Sequence, residues 1–285
     1  MLRPTQWTKN SLVLAPLIFS GAYGQWESLF AALIGFAGFS LTASGIYAFN
    51  DVMDAEYDRK HPEKKNRPVA SGSLSPVVAI LIAVLCLSLG LGASWWLNSE
   101  AAMIAVGYVA LMLLYSIALK NILLLDVLII AMGLTSRALY GAAAIEVEIS
   151  QWLVICTFLI SLMLALVKRR QELVRIGDQV DLGRRSLQAA PPVIAWDQWI
   201  NSVAGITILA YILYTVDTRT VEHVGSNHLL YTTPFVIYGI FHYLGQVQRN
   251  QNGEDPTAAL LKDRVMWITM IGWLIAVVSV LSGLI

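Results

Sequence analysis

Residues 50–70 read NDVMDAEYDRKHPEKKNRPVA, a block crowded with acidic and basic side chains. It lies between two long apolar runs, about Ser28 to Asn50 and about Val77 to Leu97. A helix needs about 20 apolar residues to cross the hydrocarbon core of a bilayer, and both runs have that length. Ser71 to Pro76 reads as a turn and helix start, with Pro76 at an early helical position. The arrangement is that of an all-α membrane protein with its chemistry gathered where a helix leaves the bilayer. The composition agrees: 57% of the 285 residues are hydrophobic and 13% are charged, far from an ordinary soluble domain. A membrane barrel would show short alternating segments instead.

Working outward, the pattern predicts nine transmembrane segments in one domain spanning residues 1–285. Besides the two runs above, they are about Leu12 to Tyr23, Ala101 to Leu119, Leu123 to Ala144, Trp152 to Val167, Trp199 to Val216, Leu229 to Leu244 and Val265 to Leu284. Pro16 is expected to kink the short first segment or mark a re-entrant entry. The segment from Trp152 is expected to continue as a charged helix toward Arg175. Gly177 to Trp196 then forms a polar connection. The N-terminal apolar run resembles a signal peptide but is expected to be retained, because further membrane segments follow it.

With this count, 17 of the 19 Lys and Arg residues fall on one side; Arg219 lies opposite, and Arg137 lies inside the fifth segment. The positive-inside rule puts the N-terminus and the charged loops in the cytoplasm and the C-terminus outside. The expected location is the cell (inner) membrane, multi-pass, with the active face toward the cytoplasm. Cys86 and Cys156 both sit in apolar runs and read as packing residues.

Asp51, Asp54 and Asp58 are spaced i, i+3, i+7, which puts them on one face of a helix, and Asn50 can join Asp54 at i, i+4. Three carboxylates and an amide converging at a helix end repel one another unless a cation neutralises them. Hard oxygen ligands of this kind suit Mg²⁺, which keeps water and shares its shell with phosphate oxygens. The plainer alternative pairs the carboxylates with Arg59, Lys60 and Lys64. His61-Pro62 is expected to end the helix. Lys64, Lys65 and Arg67 either bind phosphate or only satisfy the positive-inside rule. Arg137 and Asp126 share a helix face; phosphate contact, pairing within the bundle or snorkelling are the readings for this intramembrane arginine. Glu254-Asp255-Pro256 and Asp263-Arg264 read as a cap on the last helix or as a lid on a cavity.

Asn50-Asp51-x-x-Asp54-x-x-x-Asp58, followed by His61-Pro62 and Arg67-Pro68, resembles the first aspartate-rich motif of the UbiA superfamily of membrane prenyltransferases. The resemblance implies a nine-helix bundle in which that motif holds a substrate diphosphate through Mg²⁺. A second aspartate-rich motif, usual after helix six, is replaced here by Lys168-Arg169-Arg170-Gln171-Glu172, with only Asp178 and Asp181 beyond. That departure is similar to the branch of the superfamily that moves phosphoribose onto polyprenyl phosphates. The opening Leu2-Arg3-Pro4-x-Gln6-Trp7-x-Lys9-Asn10, Tyr115 with Lys120, Arg137, Arg184-Arg185-Ser186-Leu187 and Asp263-Arg264-Val265 match the same branch.

The resemblance implies phosphoribosyl diphosphate as donor, a polyprenyl phosphate as acceptor and a product that feeds cell-wall arabinose donors in actinobacteria. Asp51, Asp54, Asp58 and Asn50 would then hold the metal. Lys64, Arg67, Tyr115, Lys120, Arg137, Lys168, Arg169 and Glu172 are the candidate donor contacts, and Gln6 and Lys9 the candidate contacts for the lipid phosphate. Two competing readings stand beside this one. One is a prenyltransferase acting on an aromatic acceptor, which the basic Lys168-Arg169-Arg170 disfavours. The other is a lipid transporter, which the one-sided charge disfavours. No nucleic-acid partner is expected.

Overall fold

The computed structural model describes residues 1–60, 64–148, 150–176, 190–249 and 263–284. All regular structure among the described residues is helical. The chain divides into two compact units, Met1–Ile149 and Ser150–Ile285.

The first unit opens with a 3-10 helix, Pro4–Leu14, and a short α-helix, α1, Ala15–Phe19. The expected first membrane segment is therefore an irregular entry element. Pro16 falls in the first turn of α1, where its missing N–H costs nothing, so it starts that helix and does not kink it. Gly21, at φ 71°, then turns the chain. Next come α2 (Trp26–Met53), α3 (Ala55–Lys60), α4 (Pro76–Leu97), α5 (Ser99–Ile117) and α6 (Leu125–Ala144). Ser75 caps α4, its Oγ accepting from Val78 N at 3.3 Å, with Pro76 just inside the helix as expected. Asn98 caps α5 through Ala101 N at 2.8 Å and also donates to Ala143 O of α6 at 2.7 Å, tying two helix ends together.

Small residues set the packing in this unit. A Cβ on Gly90 of α4 would lie 2.6 Å from Gly38 O and 2.7 Å from Thr42 N of α2, so these backbones touch. Such close approach is how membrane helices gain contact where lipid offers no hydrophobic drive. On the other side of α6, a Cβ on Gly141 would collide with the Val13 carbonyl of the N-terminal segment. Between these seams sits an aromatic core. Phe39 of α2 lies 4.7 Å from Tyr108 of α5 and 5.0 Å from Tyr140 of α6, ring centre to ring centre. Tyr140 hydrogen-bonds Ser94 of α4 at 2.9 Å, satisfying its buried hydroxyl.

The second unit contains α7 (Gln151–Ile176), α8 (Val193–Val216), α9 (Thr218–Val224), α10 (Thr233–Arg249) and α11 (Arg264–Leu281). As expected, α7 carries its charged end on beyond Val167. The Tyr211 hydroxyl of α8 gathers this unit, lying 2.6 Å from Thr232 Oγ1 and accepting from Trp273 Nε1 of α11 at 2.9 Å.

Seven described helices, α2, α4, α5, α6, α7, α8 and α11, are long and apolar enough to span a membrane. Of the nine expected segments, the first is the entry element just described. The eighth is a 3-10 turn (His228–Thr232) followed by α10, whose 17 residues are short for a span.

Candidate functional site

The acidic motif does not lie on one continuous helix. Asp51 belongs to α2, Asp54 is the residue that closes it (φ −94°, ψ 2°), and Asp58 lies in α3. Hydrogen bonds bridge the break, Asp54 N to Asn50 O at 2.9 Å and Asp58 N to Asp54 O at 2.8 Å. Helical register therefore survives, and Asp51 and Asp58 come to one place. Both are 1% exposed. A single nitrogen, Arg67 Nη1, lies 2.6 Å from Asp58 Oδ2 and 3.4 Å from Asp51 Oδ1. Arg3, from the N-terminal segment, donates to the same oxygen of Asp51.

Asn50 and Asp54 turn elsewhere, toward the end of α5. Ser116 Oγ donates to Asn50 Oδ1 at 2.5 Å, and Lys120 Nζ, in the 3-10 turn Leu119–Asn121, meets Asp54 Oδ1 at 2.6 Å. The single four-ligand face expected from the spacing is thus drawn into two subsites, because Asn50 and Asp54 each meet a partner at the end of α5. The carboxylates are indeed paired, with Arg3, Arg67 and Lys120. Arg59 donates to Ala70 O at 3.2 Å, and Lys64 is half-buried.

The fit of Mg²⁺ follows from this geometry. Among the described residues no three acidic, His or Cys side chains gather at one point. A magnesium ion that retains water and binds substrate phosphate needs only one or two carboxylates. Asp51 and Asp58 supply two, buried and already sharing one positive charge from Arg67, so the donor set fits the ion.

Gln6 and Lys9 are half-buried in the 3-10 segment, which is stitched to α2. Trp7 Nε1 donates to Ser44 Oγ at 3.1 Å, and Asn10 Nδ2 donates to Ser40 Oγ at 3.0 Å. Arg137, 3% exposed, is held from several sides. Its Nε donates to Asn10 Oδ1 at 2.7 Å and its Nη1 to Gly133 O, while its guanidinium lies 5.3 Å from the ring centres of both Phe39 and Tyr108. Among the described residues it meets no carboxylate, Asp126 included. Tyr115 is half-buried near the end of α5.

In the second unit Arg169 is buried and pairs with Glu172 one turn on. Arg170 makes two bonds to Asp197 of α8, at 2.8 Å and 3.4 Å, and Lys168 is exposed. Asp197, Ser116 and the site role of Arg3 were not anticipated; their partners are 27, 66 and 48 residues away, and no helical spacing links such positions. His61-Pro62, Asp178, Asp181, Arg184, Arg185 and Glu254-Asp255-Pro256 lie outside the described residues.

Asp263 caps α11 as expected, accepting from Val265 N at 2.7 Å and Met266 N at 3.2 Å. It also meets His242 Nε2 at 2.7 Å and accepts from Gln246. The His242 hydrogen bond holds the Asp263 carboxyl below the usual carboxylate range; burial opposes it, and the Met266 and Val265 N–H groups add to it. A carboxyl lowered on folding stabilises fully above its unfolded value, and that stability is lost as pH falls through the lower folded value. Asp263→Asn keeps a capping side chain without the charge. The wild type is therefore expected to melt above the variant at neutral pH, and the gap to close on acidification. Thermal unfolding of the two proteins in detergent across pH measures this.

The whole chain can be set beside known proteins. A decaprenyl-phosphate phosphoribosyltransferase of Mycolicibacterium smegmatis is 33% identical over 96% of this chain and 88% of its own. Those of Corynebacterium glutamicum and Mycobacterium tuberculosis H37Rv are 31% and 32% identical, each over 97% of this chain and over 84% and 91% of their own. Among solved structures, a UbiA homologue from Archaeoglobus fulgidus bound to DMAPP and Mg²⁺ superposes with a TM-score of 0.72, at 16% identity, over 99% of this chain and 98% of that one. The family model described as the UbiA prenyltransferase family matches residues 11–273. That span includes both the broken acidic helix and the basic end of α7, and the helical fold agrees with it: the chain is a member of the UbiA prenyltransferase family.

Proposed function

We propose that the protein transfers 5-phosphoribose from phosphoribosyl diphosphate to a polyprenyl phosphate such as decaprenyl phosphate, releasing diphosphate, with Mg²⁺ as cofactor. The observation that carries this reading is the 31–33% identity, along nearly the full chain, to decaprenyl-phosphate phosphoribosyltransferases from three organisms. The chain acts as a single transferase domain over residues 1–285. It lies in the cell membrane with nine crossings, counting the entry element and α10, with the N-terminus and active face in the cytoplasm and the C-terminus outside. The one-sided distribution of Lys and Arg supports that orientation.

Asp51 and Asp58 would hold the ion, with Asp54 and Asn50 beside them. Bound there, Mg²⁺ supplies charge neutralisation on the departing diphosphate. Arg67 and Lys120 are assigned to the same phosphates, a reading supported by their ion-pair distance from these carboxylates, and Lys64 and Tyr115 are assigned to donor binding with them. Lys168, Arg169 and Glu172 are proposed contacts for a donor phosphate or ribose hydroxyl, Glu172 orienting Arg169 as their ion pair allows. Gln6 and Lys9 are assigned to the acceptor phosphate. That phosphate is already ionised, so no residue has to act as general base, and the side chains work by positioning and charge balance. Arg137, enclosed by Asn10, Phe39 and Tyr108, is assigned to holding the N-terminal segment and not to the substrate.

The purified protein with Mg²⁺, labelled phosphoribosyl diphosphate and decaprenyl phosphate should yield label extractable into organic solvent. Absence of that label, with consumption of a prenyl diphosphate in the presence of an aromatic acid, would instead identify an aromatic prenyltransferase.

A further inference from the structure

We infer that Arg3 is a resident counter-ion of Asp51 which divalent metal must displace, so that the N-terminal segment sets the protein's affinity for its metal. The inference rests on the reading of Asp51 as a metal ligand. Asp51 is 1% exposed and one of its oxygens, Oδ1, meets two guanidinium groups, those of Arg3 and Arg67. A divalent ion cannot join them there without like-charge repulsion, so one arginine has to give way.

The two arginines differ in how they are held. Arg67 has a second and nearer carboxylate, Asp58, which it meets through Oδ2 at 2.6 Å; it keeps that contact if Asp51 turns to metal, and the other oxygen of Asp58 is left to the ion. Arg3 meets Asp51 and the face of Tyr47, 5.1 Å from the ring centre, and its side chain is 28% exposed, so it can return to water. Its backbone need not move for this. Arg3 sits in the left-handed region, at φ 49° and ψ 60°, just ahead of the 3-10 helix. A non-glycine residue is strained there, while Leu2 O and Arg3 O are bonded to Ser44 Oγ and Gln6 N, so the guanidinium leaves Asp51 by rotation of its own side chain and the Trp7 and Asn10 bonds stay in place.

The exchange has a consequence for order of binding. Metal alone must break the Arg3–Asp51 pair with nothing in return, and so binds weakly. An anionic donor arriving with the metal gives the freed guanidinium a new partner, so metal and donor favour each other's binding. Couplings of this kind commonly amount to about 5–150-fold.

The test uses Mn²⁺ alone, counted as free ion by electron paramagnetic resonance, with the full-length protein in detergent. Arg3→Gln is expected to bind Mn²⁺ about tenfold more tightly than wild type, a change within that range. Arg3→Lys, which keeps the charge, is expected to stay near the wild-type value and guards against a result due to misfolding. Asp51→Asn is expected to bind about tenfold more weakly or worse. Arg3→Gln binding Mn²⁺ no more tightly than wild type, while Asp51→Asn binds it poorly, overturns the counter-ion role and leaves the metal site standing. Equal binding by Asp51→Asn and wild type overturns the metal reading itself, and this inference with it.

Discussion

Asp51→Asn is expected to lower phosphoribosyl transfer by about 10²–10³-fold, the usual loss when a preorganised electrostatic group is removed from a reaction centre. The side chain keeps its size and one oxygen, so packing around α2 is preserved. What changes is charge. Asp51 is the buried point where Arg3, Arg67 and the helix break converge, and an amide there holds a divalent ion poorly. The two arginines, 28% and 27% exposed, can rehydrate, so folding should survive the substitution. Measuring lipid-extractable label beside thermal unfolding separates the effects. Wild-type turnover in a folded Asp51→Asn protein would remove Asp51 from the chemistry.

Arg137→Ala is expected to do the opposite, costing stability before it costs chemistry. Removing the guanidinium leaves Asn10 Oδ1 and Gly133 O without their donor and opens a hole between Phe39 and Tyr108. A buried group that loses a charged partner costs about 1–3 kcal/mol, and the cavity adds to that. A total of about 3–5 kcal/mol is the scale of breaking a buried ionic contact from one side. Thermal unfolding in detergent should show a large drop. Asn10→Ala should give a smaller drop, since Gly133 and the two rings still hold the arginine. If Arg137→Ala melted like wild type and only lost donor affinity, Arg137 would be a substrate contact after all.

Much of this was legible in the letters because membrane helices announce themselves. Runs such as 77–97 and 123–144 have no other way to bury their backbone polar groups, and the helices found there start within two residues of the expected positions. Helical spacing also placed Asp51 and Asp58 together correctly. It does not reveal that Asp54 meets Lys120, a partner 66 residues away in the chain. The first apolar run takes a form that its length did not announce. The segment from Pro4 is a 3-10 helix pressed onto α6 at Gly141, a contact that no local pattern encodes. Arg3 was visible only as one letter of an N-terminal motif. Its role came from the fold, which brings that motif to the far end of α2.

The enclosure of Arg137 also bears on how the chain is made. A charged helix entering a bilayer is penalised by about 2.5–3.5 kcal/mol for an arginine at its centre. Asn10, Phe39, Tyr108 and Gly133 all precede Arg137 in the chain. Synthesis from the N-terminus therefore makes Asn10, Phe39 and Tyr108 before α6, and Gly133 within α6 itself. Every group that covers the guanidinium is already in the chain when it emerges, so covering the charge requires no later helix.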